Sequence, residues 1–151
     1  PRWFAPVHDK ALFHTVMRGL GLPVPETAAV FEKGGRTFFC PALRREDDLR
    51  ALLKYRPNYP LFAKPIDGMY SIGALDLESV EGETVLLRSG ERVGVGDIVR
   101  FVVAFGRSGY LFQRRLLPHP ALAAAFGGTL ASMRLLVLLD PGGARLESAV
   151  V

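Results

Sequence analysis

Lys64 closes a short apolar run, Leu61-Phe-Ala, and is followed by Pro65 and by a loop that holds Gly68, Ser71 and Gly73. An ammonium at a strand end, beside a loop rich in backbone N–H groups, can neutralise adjacent oxygens of a polyphosphate. The same residues also fit an ordinary β-hairpin with an exposed lysine, and this stretch alone leaves both readings open. Its order is informative. Gly68-Met-Tyr-Ser-Ile-Gly73 has the glycine spacing of a Walker A loop, but Ala74-Leu75 stands where that motif needs Lys-Ser/Thr. A P-loop NTPase is therefore excluded, and any phosphate site must take its charge from the strand while the loop folds over the ligand as a flap.

Other chemistries find less support. His8, His14 and His119 lack metal-ligand spacing; His14, on the first helix, reads as a partly buried or surface residue rather than a ligand. Ser71 has no nucleophile-elbow context. Neither Gly19-Leu-Gly21 nor Gly94-Val-Gly96 completes a dinucleotide fingerprint. Asp47 and Asp48 fall at the start of an amphipathic helix, where they complement the dipole and stay solvated.

The elements that must position Lys64 follow from periodicity. Leu12, Phe13, Val16, Met17 and Leu20 predict a helix from Asp9, its N-cap, to Leu20, stopped by Gly19, Gly21 and Pro23. Thr27 to Phe31 and Thr37 to Cys40 read as a hairpin around Lys33-Gly-Gly-Arg36, and Leu43 to Tyr55 as a surface helix. Strands are expected at Leu61 to Ala63, Ala74 to Leu77, Thr84 to Leu87 and Tyr110 to Leu116. Ile98 to Ala104 reads as a helix in spite of its β-branched content. Ala121 to Phe126 makes a helical turn, and Met133 to Leu139 with Arg145 to Val151 a hairpin. The order predicts an α+β fold, with a lobe boundary near Pro57 to Pro60.

Composition sets the outer bounds. The chain has 151 residues, 49% of them hydrophobic, enough for a real core. Its apolar runs are short, Leu135 to Leu139 being of strand length, far from the ~20 residues of a membrane-spanning helix. Cys40 is the single cysteine, which excludes an internal disulfide and fits a reducing compartment, the cytoplasm. Net charge is +4, and from Asp97 onward six arginines face three acids. That field favours an anionic small molecule; nucleic acid is disfavoured because the arginines are scattered through strand-like segments. The start at Pro1-Arg-Trp without Met, and the end inside a strand, read as a piece of a longer chain.

Several segments together carry a resemblance: Asp9-Lys10 opening a helix, Gly21-Leu-Pro-Val-Pro25, Pro60-Leu-Phe-Ala-Lys-Pro65 with Gly68 and Ser71-Ile-Gly73, Tyr110-Leu-Phe-Gln-Arg-Arg-Leu116, and Met133-Arg134. In this succession the chain resembles the ATP-grasp superfamily, most closely its sugar-transfer-associated group. This likeness implies three parts: a helix, hairpin and helix lobe over 1–58; a nucleotide-binding strand, glycine loop and hinge over 59–116; and the start of a C-terminal catalytic lobe over 117–151. The resemblance implies ATP and Mg²⁺ as cofactors and an ATP-dependent ligase that activates a carboxylate as an acyl phosphate for attack by an amine or similar nucleophile. Glycan or cell-surface modification is the implied setting. Lys10 and Lys64 match the two ATP lysines; Gly68, Ser71 and Gly73 match the loop that closes over the phosphates. Gln113, Arg114 and Leu116 match the hinge that reads the adenine edge, and Arg134 matches an arginine near the γ-phosphate or the acyl phosphate. The family's metal ligands would follow Arg134, where Asp140 and Glu147 do not supply them. They are expected beyond Val151, and the present chain is expected to bind nucleotide without turning it over. A noncatalytic module for a nucleotide or an anionic sugar nucleotide is the alternative.

Overall fold

The computed structural model describes residues 7–36, 38–125, 127, 130 and 132–150. The chain divides into two compact units, Pro1–Arg115 and Leu116–Val151. In the first, helix α1 (Lys10–Gly19) precedes strands β1 (Thr27–Phe31) and β2 (Ala42–Leu43), helix α2 (Glu46–Lys54), and strands β3 (Leu61–Pro65), β4 (Leu75–Glu81), β5 (Thr84–Leu87) and β6 (Arg92–Gly94). Helix α3 (Val95–Phe105) and strand β7 (Tyr110–Arg114) complete it. Helix α4 (Pro120–Ala125) and the hairpin of β8 (Arg134–Asp140) and β9 (Gly143–Val150) make up the second unit. The protein is thus mixed α and β, and no helix among the described residues is long and apolar enough to cross a membrane.

One seven-stranded sheet, ordered β2-β1-β7-β3-β4-β5-β6, organises the first unit. Every pairing in it is antiparallel except β1 with β2. Strand alternation sends Tyr110 and Phe112 of β7, with Leu61 and Ala63 of β3, to the face covered by α2 and α3, where Leu49, Leu53, Ile98, Val99 and Val102 meet them. The opposite parity, Leu111 of β7 with Val30 of β1 and Ile66 beyond β3, packs under Ala11 of α1. Helix α1 therefore covers the second face of the sheet and is tied there at its start, where the Lys10 N–H donates to the Ile66 carbonyl at 3.0 Å.

Local chemistry fixes the helix ends. Asp9 caps α1 by accepting the Leu12 N–H at 2.9 Å. Glu46, Asp47 and Asp48 occupy the first turn of α2, and Asp48 accepts the Arg45 N–H at 3.0 Å. Helix α3 forms in spite of its β-branched residues because its period puts Val95, Ile98, Val99 and Val102 on one fully buried face, so burial outweighs propensity.

Two expectations change. The hairpin of Thr27 to Phe31 with Thr37 to Cys40 does not form: Thr37 lies outside the described residues, 38–40 is not a strand, and β1 pairs with β2 and β7 instead. Turn residues after Phe31 suggested a tight reversal, whereas the chain runs on to Ala42 and returns parallel, and Glu32 is held inside by Arg44 at 2.9 Å. The boundary at 58/59 meets a continuous sheet, since β1 before it and β3 after it both pair with β7, and the two compact units divide between Arg115 and Leu116, one residue from the expected 116/117. In the second unit, every residue of β8 and β9 is exposed, apolar Leu135 to Leu139 included.

The loop after β3 is the least regular part of the first unit. Tyr70 and Ser71 have φ of 55° and 58°, a left-handed conformation costly for residues with a Cβ. At Gly73, φ is +78° and a Cβ would stand 2.7 Å from the Phe105 ring. Gly73→Ala should therefore lose about 1–3 kcal/mol in urea unfolding, against about 1 kcal/mol for Gly82→Ala. Gly82 shares the positive φ, at +58°, but has open space around it.

Candidate functional site

Lys10 and His14 lie one turn apart on α1 and therefore share a helix face. That face meets the sheet where β3 and β7 place Lys64 and Gln113. Lys64 is opposite Leu111, and Gln113 is opposite Phe62, so the parity that buries Leu111 under α1 turns Lys64 and Gln113 to the same side. The result is a cluster of Lys10, His14, Lys64 and Gln113 at the root of the loop from Gly68 to Gly73.

Its contacts are specific. The Lys10 ammonium donates to the carbonyls of Gly68 and, at 3.3 Å, Ile66. The Gln113 amide nitrogen lies 3.2 Å from both ring nitrogens of His14, and Gln113 is only 2% exposed. Lys64 lies 5.8 Å from the centre of the Phe62 ring. No carboxylate pairs with Lys64 among the described residues, in contrast to buried Glu32, which Arg44 neutralises.

The electrostatics follow from this. Burial lowers the Lys64 pKa below the ordinary lysine range, and the Lys10 charge lowers it further. Burial also lowers Lys10, with Asp67 and Asp9 opposing the shift. His14 is held below 6.5 by burial first and by Lys64 second. A neutral imidazole is also what an amide N–H donor calls for, because it presents a ring lone pair. The cluster thus brings together two ammoniums, of which Lys64 has no carboxylate partner among the described residues, and it can attract an anion.

The loop is anchored at both ends and open in the middle. Lys10 holds Gly68, the Ser108 hydroxyl donates to Asp67 at 2.7 Å, and the Tyr110 hydroxyl donates to the Gly73 carbonyl. Between these anchors Met69, Tyr70, Ser71 and Ile72 are exposed, Tyr70 at 90%. Ser71 is thus presented to solvent on a strained turn.

Among the residues singled out from the sequence, the fold brings together Lys10, Lys64, Gly68 and Gln113. Arg114 follows Gln113 on β7, stands opposite Leu61, and pairs with Glu26 at 3.3 Å; its own N–H donates to the Glu26 carbonyl at 2.8 Å. Its side chain is therefore off the cluster. Leu116 and Arg134 belong to the second unit, both exposed.

His14 was not singled out, although its spacing from Lys10 was the available signal. A second network had none: Arg115 donates to Asp76 at 2.9 Å and to Glu78 at 2.5 Å across residues distant in sequence. Its Nε is buried without a partner among the described residues.

Magnesium does not fit the acids nearest the cluster. Asp76 and Glu78 are held by Arg115, Asp67 accepts from Ser108, and among the described residues no three metal-type side chains converge. Phosphate oxygens do fit the Lys64 ammonium, which has no carboxylate partner among the described residues. Comparison with protein-family models, curated proteins and solved structures gives no match.

The His14 environment makes stability depend on pH. Because the folded state binds the proton less readily than the unfolded state, stability is whole above 6.5 and falls as pH drops below it. Replacing His14 by Gln should flatten that loss, as read from thermal midpoints between about pH 7 and 5.

Proposed function

We propose that this chain is the nucleotide-binding part of an ATP-grasp ligase. The observation that carries the reading is Lys64, half-buried and without a carboxylate partner among the described residues, beside Lys10 at the root of the Gly68 to Gly73 loop. Phosphate oxygens would take the place of the missing carboxylate at Lys64, and the exposed loop would supply N–H groups and the Ser71 hydroxyl from above. Gln113 would read the base. His14 engages its amide nitrogen, which leaves the amide oxygen as the acceptor a base amino group needs. Since Gln113 is nearly buried, that contact requires the imidazole to give way.

In the parent reaction a carboxylate oxygen would attack the γ-phosphorus with ADP leaving. An amine would then attack the acyl phosphate with inorganic phosphate leaving. A cytoplasmic glycan or cell-surface precursor would be the acceptor. The residues present account for binding and orienting the nucleotide, and no transfer step is assigned to them. The same two ammoniums would also hold a sugar nucleotide, so a noncatalytic binding module is the second reading.

Thermal unfolding separates these. ADP at a hundred times its dissociation constant should add about 2.7 kcal/mol of stability. Lys64→Ala should remove that gain and Arg114→Ala should keep it, because the Arg114 side chain is off the cluster. A gain from ADP that survives Lys64→Ala would rule the site out. A gain from UDP-glucose without one from ADP would select the second reading.

A further inference from the structure

We propose that a cavity beneath the C-terminal half of α1 binds a small amphipathic monocarboxylate, its apolar body inside and its carboxylate on Arg18 at the mouth. The cavity, ≈ 320 Å³, is built wholly within the first unit, between α1, the segment 22–27 and residues 38–40. That volume is at the small end of small-molecule sites, which span about 300–1,000 Å³. Leu22, Phe38, Phe39 and Leu111 form its apolar walls. Leu22 and Phe39 remain 49% and 65% exposed at the rim, apolar surface that an occupant would cover.

The charge at the mouth selects the ligand. Glu26 is the one acid of the lining, and Arg114 already neutralises it at 3.3 Å. Arg18 has no carboxylate partner among the described residues, and its guanidinium is close enough to act on the half-buried Cys40 thiol across the cavity. One unpaired guanidinium beside apolar walls suits a single carboxylate on a hydrocarbon body. A polyphosphate would leave those walls in water, and an ammonium would be repelled. The cavity touches neither β3 nor the glycine loop, so it is separate from the Lys64 site, with His14 at the border of both.

The test uses octanoate, octan-1-ol and octylammonium on the whole chain, with calorimetric titration and the rate of Cys40 alkylation by iodoacetamide as readouts. Octanoate should bind and slow alkylation, octylammonium should do neither, and octanol should bind more weakly. Arg18→Gln should weaken octanoate binding about fivefold or more. Arg18 is exposed, so this variant should keep the parent's unfolding midpoint. Lys64→Ala should leave octanoate binding unchanged. The proposal is overturned if octylammonium or octanol matches octanoate, if Arg18→Gln binds octanoate as the parent does, or if Cys40 reacts equally fast with and without octanoate.

Discussion

Strand β7 lies between β1 and β3, and its residues Tyr110 to Gln113 are fully buried, so each of their backbone N–H and C=O groups must find a partner in the sheet. Most of the first unit follows from that requirement. It holds the early strand β1 and the later strand β3 in one layer, although a helix and about thirty residues separate them in sequence. It also gives the layer two buried faces, one for α2 and α3 and one for α1. Because α1 is seated on the second face, its polar residues are brought against Lys64 and Gln113.

Charge is handled in two ways in the first unit. Buried Glu32 is neutralised by Arg44, and Arg115 is held between Asp76 and Glu78. Lys64 has no carboxylate partner among the described residues, only the Phe62 ring and the neutral groups of His14 and Gln113 beside it, and Lys10 opposes its charge. Retaining such an arrangement costs folding free energy that a paired or apolar residue would not, a cost typical of binding sites.

Periodic signals were legible in the sequence. Asp9 and the apolar spacing from Leu12 to Leu20 marked α1, alternation marked β4, and short apolar runs marked β3, β5 and β7. Helix α3 was legible only in part, from Ile98 to Ala104, because its β-branched residues favour strands. Pairing was less legible. Lys33-Gly-Gly-Arg36 looks like a hairpin turn, but the choice of β7 and β2 as partners of β1 depends on residues far along the chain. The candidate site divided in the same way. Lys64 and Gly68 stood out by residue type and local order and Lys10 only through the family resemblance, whereas Arg115 with Asp76 and Glu78 is a contact between strands that no spacing announces.

The alternation along β7 has a consequence for how the protein can change. Gln113 faces α1 while Arg114 faces away to Glu26, so the strand behaves like a reading frame. Inserting or deleting one residue between Tyr110 and Gln113 would exchange the two faces at a stroke, turning a guanidinium toward two ammoniums and burying polar atoms among Leu61 and Ala63. The turn from Ser89 to Glu91 at the far side of the sheet has no such frame to keep. Variation in length should therefore accumulate there, while β7 tolerates substitution only in step.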